Sequence, residues 1–244
     1  MVFDCLVIIG IIAIVFAYFV AKIFFICQKI CKLNNIKMSD LKKKKKDLKD
    51  EIETKIKGFG YDTKVYFVWL GSEKDGVFAS LSCTGSVIIY SNWMKKLFSN
   101  EREWEISLYH SIGHELNHTK IKNNWCYPRT KNEKRFVNWL IECSCDLYGI
   151  EFTRYCFPKL SRDDILKAIK LKIDDIIVKK EKKRKKDKHT SSHPSWKYRY
   201  DIMKNNNEIN EQVIRRIAEE SEVEDPSFIS EVIDLFNNSL VHSK

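Results

Sequence analysis

Seventeen consecutive residues near the amino terminus, Cys5 to Ala21 (CLVIIGIIAIVFAYFVA), carry no charge. After Lys22 the apolar character resumes as IFFIC, so residues 5–27 form one segment of 23 residues. With Lys22 snorkelling, a helix of that length crosses about 30 Å of hydrocarbon. Such a segment is out of place on the surface of a water-soluble domain, and the pattern predicts one N-terminal transmembrane helix. A cleaved signal peptide would begin with positive charge, whereas the only early charge is Asp4. Lys22, Lys29, Lys32, Lys37 and the five lysines at 42–46 all follow the span. By the positive-inside preference that side stays in the cytoplasm. The expectation is a single-pass membrane protein whose main domain faces the cytoplasm.

The charge distribution supports this division. The chain of 244 residues has 43 Lys+Arg against 33 Asp+Glu, a net charge of +10. Residues 22–49 contribute +8 and residues 179–189 (KKEKKRKKDKH) +6, so the remainder stands at −4. A nucleic-acid binder spreads basic residues over a folded face with aromatics among them. Here they sit in two low-complexity runs, which favours an anionic membrane surface or plain solvation and excludes nucleic acid as the expected partner. The eight cysteines form no CxxC pair and no disulfide framework, and read as reduced, partly buried thiols.

Beyond the span, residues 28–57 read as a basic helical stalk or linker. Residues 64–70 (KVYFVWL), 77–83 (VFASLSC) and 86–90 (SVIIY) read as strands, separated by GSEKDG and TG turns, and predict a small antiparallel meander. From Asn92 the pattern is helical. Helices are expected over about 92–98, over 101–121 with Asn100 as cap, and over 132–155, 162–178, 195–219 and 226–240. The basic stretch 179–189 is expected as a flexible loop. The fold class is α+β, a small sheet followed by a helical bundle.

The chemistry concentrates in YHSIGHELNHTK. His110, His114 and His118 recur every four residues and share one helix face. In HELNH, two imidazoles four apart can share one Zn²⁺, and Glu115 can reach a coordinated water as general base. His110 and His114 have the same spacing, but Ser111 cannot serve as a base. His110 therefore reads as a neighbour of the site or a packed histidine. Twenty-four residues beyond His118, the segment WLIECSCDLYG places Glu142 and Asp146 four apart on the next helix. A glutamate there suits a third ligand, and an aspartate one turn later suits a partner that orients a ligating histidine. Cys143 and Cys145 flank that face and read as buried small residues.

A third segment, SSHPSWKYR (Ser191–Arg199), completes an order of motifs. HExxH, then ExxxD on a following helix, then His-Pro with Arg six residues after the histidine resembles the HtpX / CAAX prenyl protease family of gluzincin metallopeptidases, which includes the mitochondrial quality-control protease Oma. VFASLSCTGSVIIYSNWMKKL (77–97) is similar to the strand–turn–strand–helix preceding the zinc helix in that family. The resemblance spans about residues 60–205. It implies a zincin-like fold, with His114, His118 and Glu142 as ligands of one Zn²⁺ per chain and Glu115 as general base and proton shuttle. It further implies Asp146 as partner of His114, His193 as an oxyanion-stabilising residue near the metal, and Arg199 as an arginine that orders the region. The strand at 77–82 would be the edge to which a substrate backbone adds. The chain departs from the family in having one expected span, Cys145 where alanine is usual, and SCTGS for the usual Pro-Gly-Gly turn.

These readings predict a transmembrane anchor (1–27), a basic stalk (28–57) and a zinc metallopeptidase domain (58–244). The expected function is a membrane-anchored zinc endopeptidase acting on membrane-associated polypeptides, with membrane-protein quality control as the setting that the family suggests. Membrane lipid would be contacted through residues 5–27 and their basic flanks. The alternative is a catalytically silent, membrane-tethered module that holds peptide segments on the same fold.

Overall fold

The structure is a computed structural model, and it describes residues 15–18, 20–21, 24–25, 28, 37–68, 77–80, 86–90, 96, 102–121, 126–182 and 185–241. The chain divides into two compact units, Met1–Arg102 and Glu103–Lys244.

In the first unit, most of the expected span 5–27 lies outside the described residues. Among the described residues no helix is long and apolar enough to cross a membrane. The described positions between 15 and 28 are helical, and Val15, Phe16, Tyr18, Val20, Phe24 and Phe25 all expose their side chains. The helix expected as a stalk is α1 (Met38–Gly58). It packs against β1 (Lys64–Val68), burying Leu41, Ile52 and Ile56, and Glu53 Oε1 accepts the Val65 N–H at 2.8 Å. Gly60, at φ 96°, supplies the left-handed residue in the turn between them.

The sheet departs from the expected meander. Its order is β1–β3–β2, with β2 at Val77–Ser80 and β3 at Ser86–Tyr90. β3 pairs parallel to β1 (Lys64 opposite Ser86, Val68 opposite Tyr90) and antiparallel to β2 (Val77 opposite Ile89). The sheet is therefore mixed, and the all-antiparallel expectation is corrected. Burial differs between the central strand and β1. SVIIY is almost continuously apolar, with Val87 and Ile89 buried on one face and Ile88 half-buried on the other, whereas KVYFV alternates buried Val65 with exposed Tyr66. A strand covered on both sides needs the former pattern, and an edge strand tolerates the latter. Among the described residues β2 lies at one edge of the sheet.

The second unit is helical: α2 (Arg102–Lys120), α3 (Lys131–Cys156), α4 (Arg162–Lys182), α5 (Trp196–Asn205), α6 (Glu211–Glu220) and α7 (Pro226–Val241). The helix expected over 195–219 is two helices. Asn210 caps α6 by accepting the Val213 N–H at 3.0 Å, and the Arg162 guanidinium binds the carbonyls of Met203 and Asn206 that end α5. The cap at Asn100 and nearly all of the helix at 92–98 lie outside the described residues. α4 extends to Lys182, so the start of the basic stretch expected as a loop is helical. α3 is the central element, with Phe136, Trp139 and Leu140 buried in the core it forms with α4, α5 and α6, and Phe152 packed on Tyr109 of α2. Burying each such side chain contributes about 1.5–3 kcal/mol.

Two glycines set how closely α2 and α3 cross. A Cβ at Gly113 would lie 2.6 Å from Phe152 Cβ and 2.9 Å from Gly149 Cα. One at Gly149 would lie 2.6 Å from the His110 carbonyl oxygen. The backbones approach at this point because neither position carries a side chain.

Candidate metal centre

The crossing places His114 and His118 of α2 opposite Glu142 and Asp146 of α3. α2 is buried almost all round, as expected of a core helix rather than an amphipathic surface one. α3 begins at a capping box, where Thr130 accepts the Glu133 N–H at 3.1 Å and Glu133 accepts the Thr130 N–H at 3.1 Å. That fixed start sets the rotation of the helix that carries Glu142.

Ligand atoms of His114, His118 and Glu142 lie within 4.8 Å of one another. The shortest separations are 3.0 Å between the two Nε2 atoms, 3.4 Å from His118 Nε2 to Glu142 Oε1 and 3.6 Å from His114 Nε2 to Glu142 Oε2. Neighbouring donors around a tetrahedral ion with bonds near 2.0–2.1 Å stand about 3.3 Å apart. Three converging lone-pair bearers at this spacing repel one another unless a proton or a cation lies among them. The group can hold a metal ion, and the residues present fit one.

The tautomer of His114 is fixed from behind. Asp146 Oδ1 lies 2.9 Å from Nδ1, so that nitrogen donates its proton to the carboxylate and Nε2 is left as a lone pair facing Glu142. Asp146 is gripped in turn by Arg199, with Nε to Oδ2 at 2.7 Å and an Nη to Oδ1 at 2.6 Å. The other terminal nitrogen of Arg199 reaches Glu142 Oε2 at 3.1 Å. Arg199 enters from the first turn of α5, which Ser195 caps by accepting the Tyr198 N–H, and its guanidinium stacks 4.4 Å from the Trp196 ring.

These contacts set the protonation states. Burial pushes the Asp146 carboxyl up, but Arg199 and the His114 hydrogen bond hold it well below the usual carboxylate range. Burial likewise opposes ionisation of Glu142, yet the His118 hydrogen bond and Arg199 bring it down to about 2. Burial lowers His118, and the hydrogen bond and charge of Glu142, with the charge of Glu115, more than reverse that, so its pKa rises. Glu115 is half-buried on α2 beside His114.

His193 stands at the open side, its side chain 56 % exposed and its Nε2 3.4 Å from Glu142 Oε1. The turn that carries it is built by Thr190, whose N–H donates to the His193 carbonyl at 2.8 Å and whose Oγ1 accepts the His193 N–H at 2.9 Å. Trp139 Nε1 and Asn138 Nδ2 anchor the turn to α3 through the carbonyls of Thr190 and Ser191. Ser192 Oγ lies 2.7 Å from His193 Nδ1.

All seven residues singled out from the sequence fall in this region of the second unit. His110 is not among the converging donors. It is buried, its Nε2 lies 3.0 Å from the Asp146 carbonyl, and burial brings its pKa down to about 3, so it is a neutral packed neighbour. Cys143 and Cys145 are fully buried thiols whose pKa values burial raises. Sequence reading missed Gly113 and Gly149, which permit the crossing, and Trp139 and Asn138, which hold the His193 turn. The signal for the glycines was present: each is within three residues of a candidate site residue, one on each of two facing helices.

No protein-family model matches the chain, and no curated protein or solved structure matches it.

Proposed function

We propose that this chain is a membrane-anchored, zinc-dependent endopeptidase of the gluzincin type, one Zn²⁺ per chain. The observation that carries the reading is the convergence of His114, His118 and Glu142, with Asp146 behind His114; Glu115 follows His114 directly on α2. Two imidazoles and one carboxylate are the donor set of known zinc hydrolases, which keep a further position open for water. A zinc ion held there would supply Lewis acidity, lowering the pKa of a water toward about 7 and polarising a peptide carbonyl.

The chain's own residues then divide the work. His114 and His118 present ring nitrogens, and Asp146 keeps His114 in the ligating tautomer. Glu115 takes a proton from the attacking water and delivers it to the leaving amine. His193, exposed to an incoming chain, donates a hydrogen bond to the oxygen on which charge develops. Arg199 neutralises the buried carboxylates of Asp146 and Glu142 and keeps both oriented. The substrate is a polypeptide presented near a membrane. The exposed apolar side chains from Val15 to Phe25 support a lipid setting, and turnover of membrane proteins fits it.

Glu115→Gln should keep the metal and lower peptide hydrolysis by about 100-fold or more. A variant that cleaves a generic peptide as fast as the unmodified chain would contradict the assignment. A metal-loaded, unmodified chain that cleaves nothing would favour the silent peptide-holding module.

A further inference from the structure

The basic run plays no part in the metal centre, yet it is built into the fold. After α4 the described chain resumes at residue 185 as a strap leading to the His193 turn. Asp187 pins it, accepting from Lys180 Nζ at 2.9 Å and from the Lys197 N–H at 3.2 Å. The Lys185 N–H donates to the Lys180 carbonyl at 2.8 Å, and Trp139 holds the Thr190 carbonyl at the far end. Burial raises the Asp187 carboxyl, but the Lys180 hydrogen bond outweighs it and keeps the group ionised. A solvated linker would have none of these ties.

The acids along the outer part of α4 are already matched. Asp174 pairs with Lys170 at 2.6 Å and Asp175 with Lys179 at 3.0 Å. Lys182, Lys185, Lys186 and Lys188 remain exposed, with no ion pair among the described residues; of the two acids in the run, Asp187 is taken by Lys180, which leaves Glu181. On α4 itself, Leu171, Val178 and Lys182 recur at spacings of seven and four residues and share one face, with the two apolar side chains 39 % and 46 % exposed. Cations next to bare aliphatic side chains match a lipid interface, where charge meets headgroups and short apolar groups enter the boundary. A nucleic-acid groove would instead set arginines and stacking aromatics together.

We propose that the outer face of α4, ending at Lys182, and the strap at 185–188 form a docking surface for an anionic membrane leaflet. The lysines contact the acidic headgroups, and Leu171 and Val178 rest on the interface. The strap runs directly into the turn bearing His193, so docking sets that turn at the lipid surface. The surface is independent of the metal and of any peptidase activity.

The test uses the full chain reconstituted into neutral phosphatidylcholine vesicles or into vesicles with roughly a third phosphatidylserine. A membrane-impermeant amine-acetylating reagent is added at low ionic strength, and the rate at each lysine is read by peptide mass mapping. Lys182, Lys185, Lys186 and Lys188 should react at least about threefold more slowly on the anionic vesicles, with Lys134 and Lys204 unchanged. The protection should vanish at about 1 M salt, where the screening length falls to about 3 Å. Equal rates on the two vesicle types would overturn the proposal. So would protection by a single-stranded oligonucleotide on neutral vesicles that exceeds protection by phosphatidylserine.

Discussion

Asp146 and His114 are joined by a 2.9 Å hydrogen bond between buried side chains on two different helices, and Arg199 grips both oxygens of the same carboxylate. The imidazole is thereby committed to one tautomer before any ion arrives. Four groups, Asp146, Glu142, His114 and Arg199, share one buried electrostatic unit, so disturbing one member alters the others.

Asp146→Asn should weaken metal binding about 10- to 100-fold, because the amide no longer fixes the His114 tautomer. It should also destabilise the chain by about 3–5 kcal/mol, since Arg199 is then buried without its main partner. Metal titration and denaturant unfolding read the two effects separately. Arg199→Lys should give a smaller loss of the same kind, because an ammonium cannot grip the carboxylate with two parallel bonds.

Gly149→Ala should be costly despite adding one methyl. Its Cβ would meet the His110 carbonyl oxygen at 2.6 Å, a backbone atom that cannot swing away. The helices must part, with a destabilisation of about 1–3 kcal/mol and weaker metal binding as Glu142 withdraws from His114 and His118. Unchanged metal affinity in a folded variant would show that the crossing does not set the site.

Metal binding should strengthen as pH rises. His118 has a raised pKa in the metal-free protein through its hydrogen bond to Glu142. As a cation it stabilises that form below its unfolded value, and the contribution is lost as pH climbs through the folded value. A ligating imidazole must be neutral, so below the folded pKa each binding event displaces a proton. Affinity should then fall as pH drops, approaching tenfold per unit. Glu142 works in the opposite sense. With its pKa at about 2 it stabilises the metal-free fold above the ordinary carboxylate range, and that support is lost as pH falls toward 2. Zinc titrations at several pH values and acid unfolding of the metal-free chain measure the two.

The site was largely legible in the sequence because its information is local. His114 to His118 and Glu142 to Asp146 are each one helical turn, and a turn's spacing fixes a shared face. Most helix boundaries among the described residues followed from the same periodicity; the exceptions are the end of α4, which runs on to Lys182, and the break at Asn206–Asn210, which depends on Arg162 reaching across from α4. Strand pairing was not legible. KVYFV, VFAS and SVIIY read as strands, but which of them sits in the middle depends on contacts across the sheet. Arg199 was named only through a resemblance, because its partners Asp146 and Glu142 lie more than fifty residues away in sequence.

In the proposed centre His114, His118 and Glu142 together bind one zinc ion. Its most direct test is the zinc content of the purified chain, measured by elemental analysis, with and without Glu142→Ala. One zinc per chain is expected in the unmodified protein, with most of it lost in the variant while the helical content is retained. Equal zinc in both, or none in the unmodified chain after loading, would contradict it.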